Sequence, residues 1–398
     1  MAALYGLIQR LYKANVPPRC PKSTETPVIR FGILGAANIA PAALIKPALS
    51  HPEVVVYAVA ARSLEKARAY ARKYAIEKAY GGPNAYQELL DDPSVDAVYN
   101  PLPNALHYEW TMKALHAGKH VLLEKPSTDT AEETREMFEY ARSQGLVLLE
   151  AFHYRFHPAI HRVKAILDSG ELGSIKHAEA AMKLGKGFVP DDDIRFRYEL
   201  GGGIMMDMGC YTLHCLRYLF GANPLEVLSA TADTMPTSDG SPSKIDAGTT
   251  ATFAFPGDAT GTATCHMRVP PTLGIIPALP SMPLSVTCEK GELKVFNFVM
   301  PTLYHWIEVS VKDGKGGKAI KKRVEKVYKP LNPGVKGEEW WTTYRYQLEA
   351  FVDQVKGRKP ATWLSAEDAV SNIKWVENVY AKTGLGSRPK SSFKLPIL

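Results

Sequence analysis

VIRFGILGAANIA, residues 28–40, is the stretch that decides the fold. Its first half, VIRFGIL (28–34), is apolar except for Arg30 and reads as a strand buried on both faces. At Gly35 the chemistry changes to small residues. Aligned on that turn, the pattern G-x-G-x-x-G/A becomes Gly35-x-Ala37-x-x-Ala40, with Asn38 and Ile39 inside it. Small side chains there let backbone N–H groups at a helix start approach a pyrophosphate. Ala37 stands where a second glycine is usual, and its methyl narrows that approach. Small residues also serve tight strand–helix packing, so the neighbouring sequence has to settle the reading.

Working outward, residues 28–150 alternate short β-rich runs with helical stretches. VVVYAVA (54–60), a short strand near Ala79, VDAVYN (95–100), HVLLE (120–124) and LVLLE (146–150) are the strands. Helices are expected over Ala37–Leu49, 64–74, Tyr86–Leu90, 104–117 and 130–143. This is the grammar of a parallel sheet with crossover helices, an α/β Rossmann domain. From 151 to 336 the grammar changes. After helices near 158–169 and 203–220 come strands separated by Gly/Pro turns, from EVLSATAD to HWIEVSV, an α+β domain on a large, mostly antiparallel sheet. The apolar but proline-rich segment 269–283 reads as a loop lining a pocket or an interface. Residues 337–398 carry two helical stretches, near 343–357 and 365–382.

The 398 residues carry a net charge of +7, spread along the chain, which suits an anionic ligand or solubility and marks no nucleic-acid surface. The most basic stretch, Lys315 to Lys329, reads as a solvated hairpin and its strands. Five scattered cysteines form neither CxxC pairs nor metal-ligand spacings, so no metal is expected and a reducing, cytoplasmic setting is. No apolar run approaches the ~20 residues of a membrane span. Residues 1–27 stand apart: Leu4, Leu7, Ile8 and Leu11 recur at helical spacing, and no acid precedes Glu25. A mitochondrial transit peptide, a surface-seeking helix and an arm packed on the body or a partner subunit are the readings.

The second strand ends Ala60-Ala61-Arg62-Ser63, with Lys66 one turn on. An NAD site expects a carboxylate here for the ribose 2′-hydroxyl. Arg62 can fork onto a 2′-phosphate and Ser63 can bond it, so the pattern reads NADP.

Two further stretches carry a resemblance. Val95–Pro126 joins a strand, a polar turn (Pro101, Leu102, Asn104), a helix with His107, and a strand ending Glu124-Lys125-Pro126. GGGIMMDMGCY (201–211) opens a helix with Asp207 and Tyr211 on one face. With EAFHYRFHP (150–158), these resemble the Gfo/Idh/MocA oxidoreductase family from about residue 28 onward. Tyrosine at 211 is similar to the branch holding dimeric dihydrodiol dehydrogenases and NADP-dependent D-xylose dehydrogenases. The resemblance implies a Rossmann domain joined to an open-sheet domain, with the C-terminal helical segment returning to the first, and a homodimer. It also places catalytic roles on Lys125, Asp207 and Tyr211.

Oxidising an alcohol needs a base for the hydroxyl proton while hydride leaves to a nicotinamide. A free tyrosine has a pKa of ~10, and a Lys125 ammonium beside Tyr211 is expected to lower it. Tyr211 is then the base, Lys125 its partner and the alcohol anchor, and Asp207 an orienting group. A direct Lys125 base, depressed by burial, is the other reading. Pro126 is expected to fix the backbone, with a cis bond one way to do so. Arg155 and His157, after the last Rossmann strand, and His214 are expected at the substrate; His214 reads equally as a satisfied core histidine. Glu124 and His107 are assigned to the cofactor side. The expected activity is NADP-linked hydride transfer at CH–OH of a sugar or cyclic diol. A redox lyase or hydrolase with a retained cofactor and a non-catalytic NADP-sensing regulator are the competing readings.

Overall fold

The computed structural model describes the chain apart from Met1, Thr272, Gly274 and residues 238–242, 313–318 and 396–398. The opening motif forms β1 (Ile29–Leu34), buried except at Arg30. Beside it lie β2 (Val54–Ala61), β3 (Lys78–Gly81), β4 (Ala97–Asn100), β5 (His120–Leu123) and β6 (Leu148–Glu150). Their order is β3-β2-β1-β4-β5-β6 and each neighbouring pair is parallel. That order reverses direction between β1 and β4, so a crevice opens at their carboxyl ends.

The first helix, α1 (Ala2–Asn15), is an arm laid on the body. Arg10 is buried, its Nε donating to the Thr302 carbonyl at 3.1 Å and its guanidinium 3.5 Å over the Tyr328 ring. The crossover helices of the first sheet are α2 (Lys46–Leu49), α3 (Leu64–Tyr74), α4 (Ala85–Asp91), α5 (His107–His116) and α6 (Ala131–Ser143). Helix is expected from Ala37, but it begins as a π-turn, Pro41–Ile45, that runs into α2. Pro41 lacks an N–H and suits the first helical turn, so residues 37–40 stay outside the helix.

The second sheet comprises β7 (Ile175–Gly185), β8 (Glu226–Thr234), β9 (Asp246–Phe255), β10 (Ala259–Val269), β11 (Leu284–Cys288), β12 (Gly291–Val295), β13 (Ile307–Lys312) and β14 (Ala319–Glu325). Its order is β14-β13-β12-β11-β7-β10-β9-β8, antiparallel except for β7 with β10. Along β10 buried and half-buried residues alternate, because one face meets the core. Two helices flank the site segment, α7 (Pro158–Asp168) and α8 (Cys210–Phe220), and α8 packs across β7 and β10. In the basic stretch β14 pairs with β13; the hairpin tip lies outside the described residues.

Two last helices bridge the layers. On α9 (Thr343–Val355), Phe351 lies 5.5 Å from Phe31 of β1, ring to ring. On α10 (Ala366–Thr383), Asp368 pairs with Arg217 of α8 at 2.9 Å, and the same helix packs on α6. One continuous apolar core runs from Phe31 through Phe152 and Met205 to Leu293. The loop 269–283 exposes Leu273, Ile275 and Leu279 while Met282 faces inward to the site.

Candidate active site

A cavity of about 1330 Å³ opens at the carboxyl ends of the first sheet and continues against the second. Gly35, Ala37, Asn38 and Ile39 line it from the first turn, and Arg62, Ser63 and Lys66 from the second. Pro101, Leu102, Asn104 and His107 come from the third, and Glu124 from the end of β5. All the residues that sequence assigned to the cofactor therefore share one wall.

Local chemistry explains why each is there. Gly35 has φ +88°, which a side chain would strain, and its N–H donates to the Ala60 carbonyl at 2.7 Å. Ser63 caps α3, its Oγ accepting from the Lys66 N–H at 3.3 Å. Arg62 and Lys66 stand exposed at the rim. His107 clamps the third turn, Nδ1 lying 2.8 Å from the Pro126 carbonyl and Nε2 2.7 Å from that of Leu102. Burial pushes its pKa down to about 4, so the ring is neutral. Glu124 accepts from Tyr99 Oη at 2.6 Å, and burial holds its carboxyl above the usual range.

The reactive end is a chain of charges. Lys125, joined to Pro126 by a cis bond, donates through Nζ to Asp207 Oδ1 at 2.7 Å and to the Asp207 carbonyl at 2.8 Å. Arg195 donates through Nε to Asp207 Oδ2 at 2.9 Å and through Nη1 to Asp193 Oδ1 at 2.9 Å. Burial would raise Asp207, but its two cations hold it well below the usual carboxylate range. Burial would likewise lower Lys125, but Asp207 outweighs it and the ammonium pKa is raised. Tyr211 lines the same cavity, with Lys125 Nζ 5.1 Å from its ring centre.

These values correct two expectations. Lys125 is not depressed into a base, because Asp207 is its nearest partner. Nor is Tyr211 lowered: desolvation, then Tyr344 and Glu124, push it well above free tyrosine. Of the two roles expected for Asp207, orienting a hydroxyl or orienting Lys125, the geometry shows the second, and the lysine is engaged there rather than with the Tyr211 hydroxyl.

Three substrate-side assignments are also corrected. Arg155 lays its guanidinium 3.5 Å over the Tyr218 ring. His157 caps α7 by accepting from the Ala159 N–H at 3.2 Å. His214 lies between Tyr154 Oη at 2.7 Å and Asp368 at 2.8 Å, the satisfied core histidine of the two readings. None of the three lines the cavity. For Arg155 and His157 the cause is a 3₁₀ turn, His153–Phe156, which aims successive side chains about a third of a turn apart. His153 is the member that faces the cavity, 5.6 Å from Tyr211 and 4.1 Å from Tyr344, ring to ring. Burial pushes its pKa down to about 3. Sequence reasoning missed His153, Arg195 and Tyr344. Closeness to the β6 end pointed to the first; no local signal marked the other two.

The turn that carries Asp207 is fixed from behind. Gly201–Gly203 passes between Asp129 and a buried ion pair, Arg388 with Asp246 at 3.1 Å. Arg388 also donates to the Gly202 carbonyl, and Asp246 accepts from the Met205 N–H at 2.7 Å. From there a π-turn, Met205–Gly209, leads into α8. Neither carboxylate oxygen of Asp129 has a hydrogen-bond partner among the described residues.

Comparison with known proteins agrees with this architecture. Residues 29–152 match the oxidoreductase family model with an NAD-binding Rossmann fold, and residues 160–294 the GFO/IDH/MocA C-terminal domain. A D-xylose 1-dehydrogenase (NADP(+)) of Haloferax volcanii is 43% identical over 206 residues, 51% of this chain and 61% of that one. That match thus spans under two-thirds of the relative. A trans-1,2-dihydrobenzene-1,2-diol dehydrogenase of Macaca fuscata fuscata is 33% identical over 68% of this chain and 75% of that one. The crystal structure of KijD10, a 3-ketoreductase from Actinomadura kijaniata in complex with NADP and TDP-benzene, superposes with TM-score 0.73 at 26% identity. It covers 90% of this chain and 98% of that one. The fold is that of a Rossmann oxidoreductase. The chain belongs to the Gfo/Idh/MocA family.

Proposed function

We propose that this protein is an NADP-dependent oxidoreductase moving a hydride between the CH–OH carbon of a sugar or cyclic diol and the nicotinamide. The observation that carries the reading is Lys125, clamped by Asp207, beside Tyr211 in the cavity that the dinucleotide-type turns also line. The wall suits NADP: Gly35 leaves room for backbone approach, and Arg62, Ser63 and Lys66 offer donors with no carboxylate among them. Bound NADP supplies the hydride acceptor. Lys125 as ammonium and Tyr211 as protonated phenol are then the donors of the cavity wall proposed to meet a substrate oxygen. That protonation state is ready for carbonyl reduction, in which Tyr211 gives its proton to the oxygen. Alcohol oxidation requires Tyr211 to ionise first, with Lys125 holding the substrate oxygen.

The competing readings lack comparable support, since a sensor has no use for a proton relay and the relatives named above are dehydrogenases and a ketoreductase. A homodimer in the cytoplasm completes the proposal. Five free cysteines favour the compartment, and light scattering tests the dimer. Among the described residues no helix is long and apolar enough to cross a membrane. The deciding experiment follows pyridine-nucleotide absorbance with aldoses, diols and their ketones. Steady NADPH turnover supports the reading; tight NADP binding with no turnover on any of them overturns it.

A further inference from the structure

Away from the cavity, α1 presents an apolar side that no described residue covers. At about 3.6 residues per turn, Leu7, Arg10, Leu11 and Ala14 share one side of the helix. Arg10 is buried there and the other three are half-buried. The bond from Arg10 to the Thr302 carbonyl and its stacking on Tyr328 fix the rotation of the arm. Tyr5, Ile8 and Tyr12 therefore point the opposite way, 64%, 57% and 65% exposed. Val16 extends the stripe, 57% exposed, its N–H bonded to the Tyr12 carbonyl at 2.7 Å. Single apolar side chains on a surface are ordinary, but four in register on a pinned helix mark a contact.

The charge around the stripe has one sign. Lys13 and Arg19 are exposed, and Lys46 reaches the end of the helix, its Nζ donating to Asn15 Oδ1 at 3.3 Å. Residues 1–24 contain no acid, and Glu339 bears on the arm through the buried Arg10. A second copy of the chain is a poor occupant. Two arms packed together would bury four side chains each, well short of the ~800 Å² per partner of a stable interface. They would also set cation against cation. An anionic lipid surface answers both the charge and the stripe. Tyrosine suits a boundary where its ring is buried and its hydroxyl wet, and lysine and arginine attract the headgroups.

We propose that α1 is a peripheral membrane arm. It lays Tyr5, Ile8, Tyr12 and Val16 into the headgroup boundary of an anionic bilayer, with Lys13 and Arg19 at the phosphates. The helix has 14 residues, too few for the ~20 of a span, so it lies on the surface. One short helix holds reversibly, and salt weakens it. None of these residues lines the cavity, so the contact stands apart from the proposed hydride transfer.

The test is co-sedimentation of the full chain, without NADP, with vesicles of phosphatidylcholine alone or mixed with phosphatidylserine, at low and high salt. The expected result is affinity for the mixed vesicles about tenfold or more above that for phosphatidylcholine, falling as salt rises. A variant combining Tyr5→Gln, Ile8→Gln and Tyr12→Gln keeps helix formers on an exposed face. It should melt like the wild type yet bind the mixed vesicles about tenfold more weakly. Lys13→Gln with Arg19→Gln should remove most of the preference for phosphatidylserine. Equal binding to both vesicle types, or none, overturns the inference with the wild-type chain alone. So does a glutamine variant that binds as the wild type does. A glutamine variant whose mass by light scattering falls by half also overturns it, because the stripe then belongs to a second copy.

Discussion

At Tyr211 burial and the nearby Tyr344, Glu124 and Asp207 all oppose ionisation, and the ammonium that could relieve it is bound elsewhere. Alcohol oxidation should therefore keep rising with pH past the ~10 of free tyrosine, while carbonyl reduction stays flat through neutrality. Tyr211→Phe should abolish that alkaline rise and cut turnover by ~10²–10⁴, the usual worth of a positioned acid or base. Pre-steady-state rates across pH check both. Lys125→Ala leaves Asp207 with Arg195 alone. Turnover should collapse while NADP affinity, measured by fluorescence titration, stays within a small factor. Arg62→Asp acts on the other wall. Replacing a charge-assisted donor with a repelling carboxylate should weaken NADP by roughly 1.5–3 kcal/mol, and equal wild-type affinity for NAD and NADP would remove Arg62 from its role.

Among the elements, those with a strong period were legible and those built on irregular backbone were not. The strands of both sheets follow from apolar runs and alternation, and the cavity wall proposed for the cofactor follows from turns at strand ends. The 3₁₀ turn at His153–Phe156 and the π-turns at Pro41–Ile45 and Met205–Gly209 have no period to read. Sequence spacing therefore chose Arg155 and His157 over His153. Arg195 and Tyr344 were hidden for other reasons. Arg195 sits in a 3₁₀ turn, Ile194–Phe196, twelve residues before Asp207. Tyr344 reaches the cavity from a segment remote in sequence, through packing that local pattern does not encode. The glycine triplet was legible as a helix opener but not as a tight passage. Gly203 has φ +126°, and a Cβ there would lie 2.4 Å from both Arg388 and Tyr380 side chains. Gly203→Ala should destabilise by more than ~1 kcal/mol, as strained backbone usually does. It should also lower kcat more than it raises KM, because Asp207 shifts. Urea melts and steady-state kinetics separate the two effects.

Across the whole molecule, one core joins both sheets, and buried carboxyls are the weak points of its pH range. Desolvation, with Glu133 nearby, pushes Asp129 up to about 7, and burial pushes Glu150 up to about 8. Both folded values lie above the unfolded ones, so the unfolded chain releases its protons first. The contribution of these two carboxyls to stability should fall as pH rises from about 4 toward 7–8 and then level off. The buried neutral histidines, His107 and His153 among them, instead favour the folded chain as pH rises toward 6.5. Asp129→Asn cannot ionise and should flatten part of the carboxyl slope. At pH 8 it should gain roughly 1–4 kcal/mol, since each tenfold change in proton affinity is worth ~1.4 kcal/mol. Little change is expected at pH 4, and thermal melts at the two pH values check it. The buried Arg388 has a temporal meaning as well. Its guanidinium completes the hydrogen bonding of Gly202, 186 residues earlier in the chain. A ribosome releases the chain in order, so the nascent protein has both sheets' strands in hand before the turn holding Asp207 can lock. Until residue 388 is made and threaded in, the growing chain lacks the donor that the Gly202 carbonyl accepts from and the cation that pairs with Asp246.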